Sequence, residues 1–234
     1  MSERISMRIL NPNIALLCSD FLKSFLQNTS PVNIDNSFLF EKYYIHYWNL
    51  KEGTSPDTLA SNIRWIISEY KLNHSEIVLL AESIKLLRDI ETAYVYSTNL
   101  GTMINFETAA QYKDVINLKQ PKEVVRKIIK DIRRAAKTHF TTLCDDIKMS
   151  TIHSFKGWES KTIILILQSK VIIDEDIDQH EIKVAVNPPA LVYTALSRAK
   201  CNLFILNLGN MNYHSFFETH INKKINATTK IITI

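Results

Sequence analysis

The stretch that decides the fold is residues 147–167, which read IKMSTIHSFKGWESKTIILIL. Two β-prone runs, 147–152 and 162–167, flank a polar loop that contains Gly157. Short apolar runs of this kind predict strands that are buried inside a sheet. We expect ligand chemistry on the loop between them, because parallel sheets bind ligands at the carboxyl ends of their strands.

Outward from this stretch, runs that predict strands alternate with stripes that predict helices. Strands are also predicted at 40–48, 76–80 and 202–207, and helices at 12–27, 55–70, 83–91, 121–140, 190–200 and 212–224. Residues 96–120 have no regular pattern. The alternation predicts an α/β domain with a mostly parallel sheet flanked by helices.

Composition limits the class of protein. The chain has 234 residues, 46% of them hydrophobic, which suits one large domain or one domain with an insertion. A net charge of +4 permits a polyanionic partner without requiring one. Three cysteines without paired spacing predict no zinc or disulfide framework and a cytoplasmic, reducing setting. No apolar run reaches transmembrane length, so no membrane partner is expected.

Glycine is scarce, and the positions of the four glycines exclude one phosphate-binding motif. A P-loop (Walker A) needs two glycines five residues apart, followed by Lys and Ser or Thr. No two of the four glycines have that spacing. The chain is therefore predicted not to hydrolyse ATP alone. Residues 171–175, VIIDE, imitate a Walker B strand, but without a P-loop we interpret them as an acidic loop.

The polar loop and a later segment carry the candidate chemistry. Thr151 and His153 can donate to a phosphate backbone, and Glu159 can accept from ribose hydroxyls. In the helix predicted at 190–200, LVYTALSRAK from residue 191, Arg198 lies off the buried stripe and can face a phosphate. Taken singly, Arg198 reads as a solvated arginine, His153 as a capping or core histidine, and Trp158 as a packing residue.

Together the two segments resemble a known family. Residues 151–159 resemble motif V of UvrD/Rep-like superfamily 1 DNA helicases, T-x-H-x-x-K-G-x-E. Residues 193–199 resemble their motif VI, Y-x-A-L-[ST]-R-A. The motifs stand in the family's order, each before an apolar strand, within a resemblance that covers roughly 76–208. Trp158 stands where the family usually has Leu, and Ser160 where it often has Phe.

The resemblance implies the second, C-terminal RecA-like motor domain of such a helicase. It implies that Gly157, Glu159 and Arg198 contact ATP, with Arg198 reaching the γ-phosphate, and that a motif IV arginine, Arg8, joins them. It also implies that single-stranded DNA meets the start of the loop, at Thr151, His153 and Ser154. An N-terminal RecA-like half would supply the P-loop and the Mg²⁺ ligands.

Two further expectations concern organisation. The RecA-like domain is predicted at 1–95 and 148–234, with a short helical insert at 96–147 in place of the family's second subdomain. The helix at 121–140 is strongly basic, which fits either a solvated face, the favoured interpretation, or a nucleic-acid contact. The alternative function is a non-enzymatic nucleic-acid-binding or interaction module that kept the fold.

Overall fold

The computed structural model describes residues 9–27, 43–170 and 187–224. In these ranges six parallel strands form one sheet in the order β1-β6-β5-β2-β4-β3. The strands are β1 (Ile45–Leu50), β2 (Ile77–Ala81), β3 (Thr102–Ile104), β4 (Ile147–Thr151), β5 (Ser160–Gln168) and β6 (Ala199–Leu208). The predicted α/β class with a parallel sheet flanked by helices is confirmed.

Within the described ranges, seven α-helices accompany the sheet. They are α1 (Pro12–Phe25), α2 (Pro56–Glu69), α3 (Ile84–Thr98), α4 (Ala109–Asn117), α5 (Lys122–His139), α6 (Pro189–Leu196) and α7 (Met211–Phe217), with a 3₁₀ turn at His74–Glu76 and a π-helix at Glu218–Lys224. Capping side chains start several of them. Asn11 accepts from the Asn13 amide at 3.0 Å, and Ser55 accepts from the Thr58 amide at 3.2 Å. None of the helices in the described ranges has both the length and the apolar character needed to cross a bilayer.

Hydrophobic residues are buried on both faces of the sheet because its strands are covered on both sides. Along β2, Val78 and Leu80 face a cluster shared with α1, α6 and α7. The alternate residues Ile77, Leu79 and Ala81 face a second cluster shared with α2 and α3. This explains why the strands read as continuous apolar runs rather than as alternating patterns.

Helices α4 and α5 form a hairpin, and a buried ion cluster joins α5 to α3 and to the loop before α4. Glu107, which is fully buried, accepts from Arg88 Nη1 at 2.7 Å and from Arg133 Nε and Nη2 at 2.7 and 2.8 Å. A small apolar cluster that includes Val115 and Ile129 lies between the two helices. Both helices lie within the predicted insert at 96–147, where β3 also joins the sheet; the three-part domain division stays a prediction.

Several element predictions need correction. Helix α6 ends at Leu196, not at residue 200, because Ala199 already belongs to β6. The irregular region at 96–120 contains β3 and α4, and α4 starts with a capping box between Thr108 and Gln111. Strand β1 starts at Ile45, while residues 40–42, the residues 171–175 that were interpreted as an acidic loop, and Arg8 lie outside the described residues.

Candidate functional site

The loop that resembles motif V runs from the carboxyl ends of the strands to their amino ends. We call the side of the sheet where the strands end the carboxyl edge, and the side where they begin the amino edge. Strands β4 and β5 are parallel and separated by β2, so the chain must return from the carboxyl end of β4 to the amino end of β5. It does so in tight turns, with the Phe155 amide donating to Thr151 O at 3.0 Å and the Trp158 amide donating to Phe155 O at 3.1 Å. The Phe155 ring is fully buried and anchors the loop on the sheet.

The start of the loop lies at the carboxyl edge of the sheet and carries the three residues predicted to contact DNA. The Ile152 amide donates to Ala81 O at 3.0 Å, which joins the loop to the end of β2. Thr151 is buried and its hydroxyl accepts from the Ser154 amide at 3.2 Å. His153 is exposed and Ser154 is half-buried. A ligand at this edge would therefore meet His153 and Ser154 first.

The end of the loop lies at the amino edge, where it meets the second motif. Arg198 occupies the turn between α6 and β6, and its carbonyl accepts from the Ser160 amide at 3.1 Å. Its guanidinium donates to Thr194 O at 3.2 Å, to Ser197 Oγ at 3.2 Å and, at 3.5 Å, to Trp158 O. Two motifs far apart in the sequence are thus joined by direct contacts.

Glu159 lies beside this turn with a cationic partner that sequence reasoning missed. Its Oε2 atom lies 3.3 Å from Lys200 Nζ, and both side chains remain partly exposed. The pairing holds the carboxylate at the amino ends of β5 and β6. Lys200 directly follows Ala199, so its closeness to Glu159 depends on the strand order, which the sequence does not reveal.

Gly157 and Trp158 give the end of the loop its shape. Gly157 has a φ of +93°, and a Cβ added there would meet nothing within 4 Å. Its glycine is therefore required by backbone conformation, not by close packing. Trp158 is 42% exposed and packs edge-on against Phe140, with ring centroids 6.1 Å apart. Part of the indole remains open to solvent next to Arg198.

The predicted position of the polar loop at the carboxyl ends of the strands is right for Thr151 and wrong for Glu159, and Arg198, which was predicted on a helix, lies at the amino end of β6. Glu159 directly precedes β5, and Arg198 directly precedes β6. The cause is the strand order, which forces the loop to cross the sheet before the next strand begins. The predicted site residues therefore form two groups, one at each edge.

The carboxyl ends of β5 and β6 hold a buried amide network instead. Nδ2 of Asn207 donates to Tyr47 Oη at 2.8 Å, and its Oδ1 accepts from the Asn210 amide at 2.9 Å. Nδ2 of Asn210 and of Asn187 donate to Gln168 O at 2.8 and 2.9 Å. Within the described part of the chain, one buried side-chain polar atom, Asn187 Oδ1, has no hydrogen-bond partner. In the sequence, this network could have been predicted only from the asparagines at and just after the end of the last predicted strand.

Burial in and beside this network raises the pKa values of two tyrosines. Burial raises the pKa of Tyr47 to about 12, although the hydrogen bond from Asn207 works in the opposite direction. Burial also raises the pKa of Tyr213 to about 12, and its hydroxyl donates to Asn187 O at 2.6 Å. Both phenols therefore stay neutral and hydrogen-bonded well above neutral pH.

The segment next to the predicted motif IV arginine reaches the amino edge. The amides of Leu10 and Asn11 donate to Lys200 O at 2.9 and 3.0 Å. Nδ2 of Asn11 donates to Cys201 O at 2.8 Å. Arg8 lies outside the described residues, so its predicted role is untested, but the chain that follows it leads to the amino end of β6.

Comparison with known proteins finds similarity among solved structures. No model of a known protein family matches the chain, and no curated protein matches it in sequence. Among solved structures it is similar to the C-terminal domain of a possible DNA helicase from Lactobacillus plantarum, with 10% identity and a TM-score of 0.42. That similarity covers 82% of this chain and 84% of the other. The resemblance to superfamily 1 helicases therefore depends on the two motifs.

Proposed function

We propose that this chain is the C-terminal motor domain of an ATP-dependent DNA helicase or translocase of the UvrD/Rep-like class, and that it acts in the cytoplasm. In this proposal it completes an ATP site that it shares with an N-terminal, P-loop-bearing half. One observation carries the proposal. Arg198 of one motif contacts the residues on either side of Glu159 in the other, because it donates to Trp158 O at 3.5 Å and its carbonyl accepts from the Ser160 amide at 3.1 Å.

The groups at the amino edge have the chemistry that a shared nucleotide site needs. Arg198 is half-buried, and its longest hydrogen bond, to Trp158 O, is the easiest to exchange for a phosphate oxygen. A guanidinium placed at the γ-phosphate stabilises the negative charge that develops during transfer. Glu159 can accept from a ribose hydroxyl, and the ligands of Mg²⁺ would come from the N-terminal half.

The groups at the other end of the loop suit a strand of DNA. His153 and Ser154 can donate to phosphate oxygens, and Thr151 can do so beside them. Because one loop carries both groups, a displacement at Glu159 when the cleft closes would be passed to His153 across the five residues between them. Alternating closure on ATP and opening after hydrolysis would then alternate the grip on the strand.

A mixing experiment tests the proposal. The chain would be combined with a candidate N-terminal half, and ATP hydrolysis would be measured with and without single-stranded DNA. We expect strand-stimulated hydrolysis only in the mixture, and a loss of about 10³-fold with Arg198→Ala, as for arginines that act on a γ-phosphate in trans. Arg64→Ala, which removes an exposed arginine on α2, is the matched control and should leave the rate unchanged.

Two results would contradict the proposal. Hydrolysis by the purified chain alone would show that it needs no external P-loop. Absence of hydrolysis from two halves that associate and bind DNA would favour the alternative, a non-enzymatic nucleic-acid-binding or interaction module.

A further inference from the structure

Helix α5 concentrates positive charge on one side. It contains seven lysines and arginines and two acids, Glu123 and Asp131. At 100° per residue the seven cations fall within less than half of the helix circumference. We call Lys130, Arg134 and Lys137 the basic face; all three are exposed, and among the described residues none forms an ion pair.

The orientation of α5 is fixed, so the basic face is held toward solvent. Val125 and Ile129 are buried under the helix. Arg133 makes two hydrogen bonds with the buried carboxylate of Glu107, which a rotation of the helix would break. Loss of these two hydrogen bonds is costly, because the buried Glu107 carboxylate would keep Arg88 alone of its two cationic partners. The exposed cations are therefore a constant feature of this surface.

The end of α5 lies beside the loop that carries the candidate DNA contacts. Phe140, the residue after the helix, packs against Phe155 and Trp158 with ring centroids 6.5 and 6.1 Å apart. The last turns of α5 therefore lie close to this loop, on which Lys156 is also exposed. From Lys130 to Lys137 the basic face extends roughly 10 Å at 1.5 Å per residue.

We infer that the basic face of α5 binds the phosphate backbone of a nucleic-acid strand that also contacts the start of the loop, at His153 and Ser154. Like charges at spacings of three and four residues destabilise an isolated helix, and a polyanion removes that repulsion. Neutralising phosphates also releases condensed counterions, which gives affinity without sequence recognition. The inference depends on the proposed function only for the path of the strand, since the binding itself needs neither ATP nor an N-terminal half.

Fluorescence anisotropy with a labelled oligo-dT strand tests this inference on the full chain alone. The variant Lys130→Gln/Arg134→Gln/Lys137→Gln is compared with Lys23→Gln/Lys51→Gln/Lys71→Gln, which removes three exposed charges elsewhere. Both variants lower the net charge from +4 to +1 by removing three cations. At about 0.1 M salt the basic-face variant should bind at least tenfold more weakly, with the salt slope reduced by about 2. The control should stay within about threefold of wild type.

Three results would overturn the inference. They are an equal loss in both variants, no strand binding by the wild-type chain, and binding to phosphatidylserine vesicles that only the basic-face variant loses while strand binding is retained. Circular dichroism of both variants checks that α5 remains helical. Failure here would leave the ATP hydrolysis of the mixed halves unaffected, so the two proposals are tested separately.

Discussion

The two ends of strand β6 differ in what surrounds their polar side chains. At the amino end, Arg198 is half-buried, and its three hydrogen bonds go to two carbonyls and one hydroxyl of neighbouring residues. At the carboxyl end, Asn207 is fully buried, and it bonds to Tyr47, Asn49 and Asn210. The comparison teaches that exposure and hydrogen-bond saturation, not the edge of the sheet alone, indicate where a ligand can bind.

The physical reason is the cost of burying polar groups. Most buried amide groups are hydrogen-bonded, because an unsatisfied donor or acceptor costs about 1–3 kcal/mol, and Asn187 Oδ1 is the exception in this network. At the carboxyl ends of β5 and β6, Gln168, Asn187 and Asn210 bond to each other and to the chain. Those groups maintain the fold, whereas Arg198 and Glu159 stay accessible at the opposite end.

The largest expected effect is on stability at the carboxyl end. Asn207→Ala should lower the free energy of unfolding by about 3 kcal/mol, because it leaves the Asn210 amide without a partner and removes the hydrogen bonds to Tyr47 Oη and Asn210 O. Arg198→Ala should lower it by less than about 1 kcal/mol, because its bonds lie at a partly hydrated surface. Urea denaturation followed by circular dichroism measures both variants.

Equal destabilisation by the two variants would contradict the difference that we describe between the two ends of β6. It would mean that Arg198 is as structural as Asn207, and its exposure would then say nothing about a ligand.

A smaller effect on the free energy of unfolding is expected from raising the pH, and it also arises near the carboxyl end of β6. The pKa values of Tyr47 and Tyr213 are raised to about 12 by burial, against about 10 in an unfolded chain. A raised folded pKa means that the stabilisation is complete below pH 10 and is lost as pH rises toward 12. Each tyrosine should account for about 1–2 kcal/mol of that loss, measured by denaturation at fixed pH values.

In the double variant Tyr47→Phe/Tyr213→Phe, the free energy of unfolding should decrease much less between pH 10 and pH 12 than in the wild type. Tyr96→Phe, which changes a tyrosine that is 90% exposed, should leave the loss as it is in the wild type. A double variant with an unchanged alkaline profile would show that the two phenols do not cause the loss.

The sequence predicts most of the fold because burial leaves simple patterns. The apolar runs of β2, β4 and β5 and the amphipathic stripes of α1, α2 and α5 were all readable at about their observed bounds. Helix α4 was missed although Thr108 and Gln111 form a recognisable capping box, since its buried surface is small. The predicted end of α6 was wrong because Ser197 and Arg198 form a turn that helical periodicity does not reveal.

The site was less predictable, because its geometry depends on strand order. The motifs predicted that Glu159 and Arg198 act together, but the position of Glu159 in a loop after a predicted strand placed it at the wrong end of the strands. The sequence also gave no indication that Lys200 lies 3.3 Å from Glu159. Contacts between residues on neighbouring strands depend on the strand order, and the hydrophobic pattern of the sequence does not predict that order.

Photo-crosslinking tests the central claim, that nucleotide binds at the amino edge, most directly. An ATP analogue with a benzophenone on its γ-phosphate would be irradiated with the chain and its N-terminal half, and the adducts located by mass spectrometry. We predict adducts in peptides that cover residues 157–160 and 194–200, suppressed by excess ATP. Adducts confined to residues 207–213 and 45–50, at the carboxyl edge, would contradict the account.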